Sequence, residues 1–227
     1  MNFSKYGVLL NMNSAIIVAA GRGTRLGGIK KQFLEIEGKS VLKRSVEKFV
    51  KAGISDIVIS TMSEDLKFVE EMFSDIKDIV RVVEGGATRQ QSVTNAFNVC
   101  SKGGIVLIHD AARPFVSIEN IKNVISMAEK IGAATLAVSS TDTVKFVENN
   151  LIKHTLDRNK IYLVQTPQAF SKELYKKALK EVVGDYTDDC QLIEKIGVDV
   201  TIVEGSRDNI KITTPEDLEY AKILARI

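Results

Sequence analysis

The chain is poor in several residue types that mark other protein classes. Its 227 residues include only two cysteines, Cys100 and Cys190, far apart and without CxxC or metal-type spacing. That excludes a disulfide framework and fits a reduced, cytoplasmic setting. The two histidines, His109 and His154, show neither metal spacing nor a nearby nucleophile pattern, and read as structural. A net charge of +2 is too small to mark a nucleic-acid binder, so any anion site must come from local clustering. No apolar run is long enough to span a bilayer, and no repeat, low-complexity tract or linker divides the sequence. The stretch "YGVLLNMNSAIIVAA" makes a poor signal peptide, because Asn11, Asn13 and Ser14 interrupt it and only Lys5 precedes it. Met12 is an alternative start, so residues 1–11 are expected to be an N-terminal extension and 12–227 a single domain.

What is present is alternation. Strand-like runs at 15–20, 54–60, 79–83, 104–110 and 134–139 are separated by helical patterns at 40–53, 63–73 and 88–102 and by a helix capped by Ser117. This argues for an α/β, Rossmann-like fold, a mostly parallel sheet with helices on both faces. The pattern breaks near residue 140. Residues 143–157 read as two short strands around Glu148-Asn149-Asn150, a projecting β-hairpin arm spanning about 139–160. Helices near 171–182 and 188–197 follow, then a strand near 200–203 and a late strand carrying Asp208 and Lys211. Thr214-Pro215-Glu216-Asp217 opens the last helix with an N-cap, a first-turn proline and a capping acid.

Chemistry concentrates at strand ends. "AAGRGTRLGGIKKQF" (19–33) follows the first strand and carries Arg22, Arg25, Lys30 and Lys31 among its glycines. It is neither a Walker A loop, since Gln32 stands where Ser or Thr is needed, nor a dinucleotide fingerprint, since Leu26 replaces the third glycine. It reads as a tight turn with solvated charges or as a phosphate cradle, with Arg25 and Lys31 neutralising the phosphates. In "IHDAARPF" (108–115), Asp110 either holds a divalent metal or simply pairs with Arg113. "EGGATRQQSV" (84–93) is either a plain turn or a base pocket read by backbone groups.

Together "AAGRGTRL", "KKQF", "EGGATRQQSV", "HDAARPF", "DTVK", "LDRN", "QTPQAF", "YTDD" and "DNIKITTPEDL", in this order, resemble the 2-C-methyl-D-erythritol 4-phosphate cytidylyltransferases of the non-mevalonate isoprenoid pathway. The resemblance spans residues 15 to about 225. It implies a nucleotidyltransferase fold and a reaction that joins CTP to methylerythritol 4-phosphate with Mg²⁺, releasing pyrophosphate. It implies Arg25 and Lys31 as transition-state stabilisers, with Arg158 and Lys211 also in catalysis. Nucleotide contacts fall to Ala19, Ala20, Gly21, Gly23 and Thr24, to Gly85, Gly86, Arg89 and Ser92, and to Ala111 and Arg113. Asp110 is implied as the metal-side carboxylate, and Thr143, Arg158, Thr187 and Lys211 as the grip on methylerythritol phosphate. In the family the arm crosses to a second subunit, which implies a homodimer. Lys30 stands where proline is usual, which leaves Lys30 and Lys31 both in view, although "KQF" favours Lys31. Ala87 replaces an often acidic position.

The reaction so implied is attack of a phosphate oxygen of methylerythritol phosphate on the α-phosphorus of CTP. Two rivals share the pattern in part: ribitol 5-phosphate cytidylyltransferase and a non-catalytic nucleotide-binding module. The first tends to read Ala-Gly-Gly at its opening motif, and the second needs the glycines but not Arg25, Lys31 and Arg158 together.

Overall fold

A computed structural model describes residues 13–21, 30–184 and 186–227. The expected extension, residues 1–11, lies outside them.

The apolar run after Asn13 forms β1 (Ser14–Val18), buried along nearly its whole length. A strand buried on both faces reads as continuous apolar sequence rather than alternation. It pairs in parallel with β4 (Ile57–Thr61) on one side and β6 (Ile105–Asp110) on the other, with Val18 opposite Asp110. An edge strand, β5 (Val80–Glu84), lies parallel to β4. Beyond β6 comes β10 (Tyr162–Ser171), antiparallel to both β6 and β7 (Ala133–Ser139), and then β11 (Thr201–Glu204), parallel to β7. The seven-stranded order is β11-β7-β10-β6-β1-β4-β5.

Side chains alternate across β1. Ala15 and Ile17 join one core layer, with Leu42 and Phe49 of α1 (Val41–Lys51), Val69 of α2 (Leu66–Met72) and Ile121 of α4 (Ile118–Ile131). Ile16 joins the other, with Val93 of α3 (Arg89–Val99), Tyr175 of α5 (Lys172–Glu181) and Ile193 of α6 (Cys190–Lys195). Helices thus cover both faces, as the periodicity predicts. The helix starts are also where the capping residues put them. Ser40, Thr88, Ser117 and Ser171 each accept from a backbone N–H in the first turn. At α7 (Pro215–Leu224), Thr214 and Asp217 complete a reciprocal capping box.

The arm consists of β8 (Lys145–Glu148) and β9 (Leu151–Thr155), joined by Asn149 and Asn150 at φ 51° and 61°. Two positive-φ residues give the turn whose twist matches paired strands, and asparagine tolerates it best after glycine. Every residue of the two strands is exposed. A second small hairpin, β2 (Glu35–Ile36) with β3 (Lys39–Ser40), was not legible in the sequence. The late strand expected around Asp208 and Lys211 does not form. Residues 205–213 run outside the sheet, because tertiary bonds take up their backbone groups: Arg113 donates to the Asn209 carbonyl, and Ile212 N–H donates to Ala112 O. Among the described residues, no helix is long and apolar enough to cross a membrane.

His109 is structural, as expected. Its ring packs on Phe49, with centroids 5.0 Å apart, and is fully buried. Nε2 lies 3.0 Å from the Arg113 carbonyl, which can only accept, so Nε2 carries the proton. Nδ1 therefore accepts from the Thr166 hydroxyl at 3.0 Å, and the Thr166 oxygen accepts from Asp110 N–H at 3.1 Å. This relay fixes the backbone at Asp110. Burial lowers the His109 pKa from 6.5 to about 4. Above about pH 6.5 neither state is protonated here. As pH falls toward 4 the unfolded chain takes a proton that the folded chain refuses, so stability drops, by up to about 3 kcal/mol. Urea unfolding at pH 7.5 and 5.0 should show this loss in the wild type and a smaller one in His109→Gln. Equal losses would show that the folded protein accommodates the imidazolium.

Candidate active site

Parallel strands β1, β4, β5 and β6 all end at the same edge of the sheet, where ligands of open α/β folds bind. A cleft of about 560 Å³ opens there. Ala19, Ala20 and Gly21 follow β1 into it, and Gly85 and Gly86 follow β5. Arg89 and Ser92 reach it from the first turns of α3, and Asp110, Ala111, Lys31 and Lys211 complete the wall.

The glycine floor is closely packed. Gly85 N–H donates to Thr61 O at 2.7 Å, and Gly86 N–H donates to Ser92 Oγ at 3.0 Å. The Ser92 hydroxyl in turn donates to Thr88 O at 2.9 Å. A Cβ at Gly85 would lie 2.7 Å from the Ala20 Cβ and 2.9 Å from Ser92 Oγ, so only glycine fits.

Buried Gln32 donates to Ala19 O at 2.9 Å, which ties the end of the glycine-rich loop to its start. The two adjacent lysines then part. Lys30 Nζ lies 2.5 Å from Glu64 and 2.7 Å from Asp65, on the turn after β4. Lys31 lines the cleft. Gly23, Thr24 and Arg25 lie outside the described residues.

Asp110 is the charged centre. Its expected alternative, a pair with Arg113, does not form. Instead Lys211 Nζ sits 2.6 Å from Oδ2, and Arg89 Nε lies 3.5 Å from Oδ1. Burial alone would raise the pKa of this carboxyl, but Lys211 and Arg89 hold it well below the usual carboxylate range. Arg89 also donates through Nη1 to Asp189 at 2.7 Å. Asp189, Tyr175 and Gln168 of this network were not singled out from the sequence, although "YTDD" and "QTPQAF" contain two of them.

Lys211 arrives from the far end of the chain because Asn209 anchors it. Fully buried Asn209 donates to Thr166 O at 2.9 Å and to Gln165 Oε1 at 3.1 Å. Arg113 donates through Nη1 to the Asn209 carbonyl at 2.7 Å and is not among the residues lining the cleft. Thr143, Arg158 and Thr187 are not brought to this cleft either. Arg158 is exposed at the base of the arm and donates to Thr141 O at 3.3 Å, and Thr187 Oγ1 accepts from Gln191.

Among the described residues, no three His, Cys, Asp or Glu side chains cluster as a metal cage. The ionised Asp110 carboxylate, on a cleft wall that also includes Glu84, still suits Mg²⁺, which takes one or two protein carboxylates and completes its shell with phosphates and water.

The family model described as "IspD: 2-C-methyl-D-erythritol 4-phosphate cytidylyltransferase" matches residues 13–226. A protein of that name from Thermotoga neapolitana is 39% identical over 220 residues, covering 95% of this chain and 97% of its own. Another from Clostridium novyi is 40% identical over 219 residues, covering 92% and 94%. The solved 4-diphosphocytidyl-2C-methyl-D-erythritol synthase of Anaerococcus prevotii superposes with a TM-score of 0.85 at 31% identity, covering 95% and 96%.

The floor geometry has a direct test. Gly85→Ala should lower stability by about 1–3 kcal/mol through overpacking. Gly21→Ala, whose Cβ would meet nothing within 4 Å among the described residues, should change it by less than about 0.5 kcal/mol. Denaturant midpoints of the two variants give the comparison.

Proposed function

Because the chain belongs to the 2-C-methyl-D-erythritol 4-phosphate cytidylyltransferase family, we propose how its cleft carries out that reaction. The enzyme is a nucleotidyltransferase of isoprenoid biosynthesis. It joins CTP and 2-C-methyl-D-erythritol 4-phosphate to give 4-diphosphocytidyl-2-C-methyl-D-erythritol and pyrophosphate.

A phosphate oxygen of methylerythritol phosphate attacks the α-phosphorus of CTP in line. The bond from that phosphorus to the α,β-bridging oxygen breaks, and pyrophosphate leaves. The attacking phosphate is already anionic at neutral pH, so no general base is needed, and catalysis consists of positioning and charge stabilisation. The cytosine edge is read at Gly85, Gly86 and Ser92. Ala19, Ala20, Gly21, Gly23 and Thr24 carry the triphosphate, with Arg89 and Ala111 beside the nucleotide. Arg25 and Lys31 meet the charge that grows on the pentavalent phosphorus and the leaving group. Asp110 would hold Mg²⁺ together with the nucleotide phosphates, and the ion supplies further charge neutralisation there. The observation that carries this assignment is that Lys31, Asp110 and Lys211, distant in sequence, meet over the glycine floor of one cleft.

The arm supplies the second substrate's grip. An isolated hairpin is marginal in water. This one exposes Phe146, Val147, Leu151 and Ile152, and the adjoining start of β10 exposes Tyr162 and Leu163. A two-fold homodimer covers these side chains and brings Thr143 and Arg158 of one protomer to the cleft of the other, where Thr187 and Lys211 also grip methylerythritol phosphate. Arg158 is suited to a phosphate because its planar fork binds two oxygens at once. Residues 12–227 form one nucleotidyltransferase domain with the arm at about 139–160, and 1–11 are an extension. The two unpaired thiols, Cys100 and Cys190, fit a cytoplasmic location.

Lys31→Ala should cut pyrophosphate release by about 10²-fold, with little change in thermal stability, because a single partly exposed cation contributes little. Near-full turnover would remove Lys31 from the transition state. The crossed arm is tested by mixing Lys31→Ala with Arg158→Ala and letting subunits exchange. In a mixed dimer one site carries both lesions and the other neither. Random pairing then restores about one quarter of wild-type activity. If Arg158 serves its own chain, no activity returns once exchange is confirmed.

A further inference from the structure

A carboxylate behind the cleft is bound to the arginine within it. Asp189 lies just before α6, is 1% exposed and is not among the residues lining the cleft. It is held on two sides by the core. The hydroxyl of fully buried Tyr175, on α5, donates to Oδ1 at 2.6 Å, and the backbone N–H of Asp189 donates to Gln168 Oε1, on β10, at 2.9 Å. The other oxygen, Oδ2, accepts from Arg89 Nη1 at 2.7 Å. Among the described residues, Arg89 is the only cation paired with Asp189.

Arg89 itself sits at an unfavourable place for a cation. It is the first residue of α3, where the helix dipole disfavours positive charge, and it is largely desolvated. Two carboxylates offset this cost, and they do so unequally. Asp189 binds at 2.7 Å, whereas Asp110 is 3.5 Å from Nε. An arginine offered Asp110 alone would close on it with both arms of the fork, the strongest geometry available to the pair. It would then compete with whatever Asp110 holds.

We propose that Asp189 is a positioning residue that draws Arg89 away from Asp110, leaving Asp110 Oδ1 available to the cleft and fixing the guanidinium beside the nucleotide. Tyr175 and Gln168 make this possible by holding Asp189 against the core, so that the arginine moves to the carboxylate and not the reverse. The inference rests on the assignment of Arg89 and Asp110 to the nucleotide side of the cleft.

The test is a double-mutant cycle, read both as pyrophosphate release and as CTP binding by calorimetry. Asp189→Asn removes one charged hydrogen bond and should lower kcat/KM by about 10-fold or more. Arg89→Met should lower it as well. The double variant should be no worse than Arg89→Met alone, because Asp189 acts through that side chain. Tyr175→Phe, which keeps the carboxylate but loosens it, should show a smaller loss that also vanishes in the Arg89→Met background. It carries the same cycle if Asp189→Asn does not fold. Losses that multiply in the double variant overturn the positioning role and leave Asp189 a brace of the fold. An Arg89→Met enzyme with unchanged turnover and CTP affinity overturns both the role of Arg89 and the proposal built on it.

Discussion

A carboxylate taken out of water must be matched by opposite charge, and Asp110 is matched from both flanks of the sheet. Lys211 comes from the segment before the last helix and Arg89 from the start of α3. Most of the cleft's architecture follows from making those two cations arrive together. The strand that carries Asp110 is central, so its end cannot drift. The Asp110 backbone is fixed by Thr166, which is fixed in turn by His109. The segment bearing Lys211 has no sheet to hold it, and the Asn209 side chain does that work by bonding to Gln165 and Thr166. Thr166 of β10 thereby holds both sides of the reacting end of the cleft, through its hydroxyl at Asp110 and its carbonyl at Asn209.

The opposite wall is built on close approach. Gly85 lets the end of β5 lie against Ala20, and Ser92 occupies the hydrogen bond that Gly86 would otherwise offer to water. Backbone groups in such a wall are fixed in direction before any ligand arrives, which lowers the cost of binding a planar ring edge. Lys31, Arg89 and Lys211 line the same cleft. Adjacent in sequence, Lys30 and Lys31 go to different places: Lys30 pairs with Glu64 and Asp65, and Lys31 lines the cleft.

The parts of this arrangement that depend on near neighbours in sequence were legible there. Strands β1, β4 and β6 announce themselves as short apolar runs, and Ser117 and Thr214 mark helix starts through bonds made within one turn. The end of the sheet that carries the site follows from the order of strand and glycine. The long-range pairings were not legible. Proximity in sequence suggested Arg113 for Asp110, but the actual partners are Arg89 and Lys211, which no periodicity connects to it. The alternation of "NIKIT" imitates a strand, yet tertiary hydrogen bonds to Asn209 and Ala112 hold it outside the sheet. Asp189 lies within "YTDD", but nothing near it in sequence points to its role, which depends on Tyr175 and Arg89. The arm shows the converse. Its turn was readable from Glu148-Asn149-Asn150, while the bond of Arg158 to Thr141 O, at the base of the arm and away from this chain's own cleft, was not.

The central claim is that the reaction is organised around an ionised Asp110 balanced between Lys211 and Arg89. The most direct measurement is turnover of Asp110→Asn as a function of Mg²⁺, with both substrates saturating and folding verified by circular dichroism. Asparagine keeps the shape and removes the charge. The account predicts turnover lower by about 10²-fold and a higher Mg²⁺ requirement. A folded Asp110→Asn enzyme with wild-type turnover and an unchanged Mg²⁺ response would contradict it.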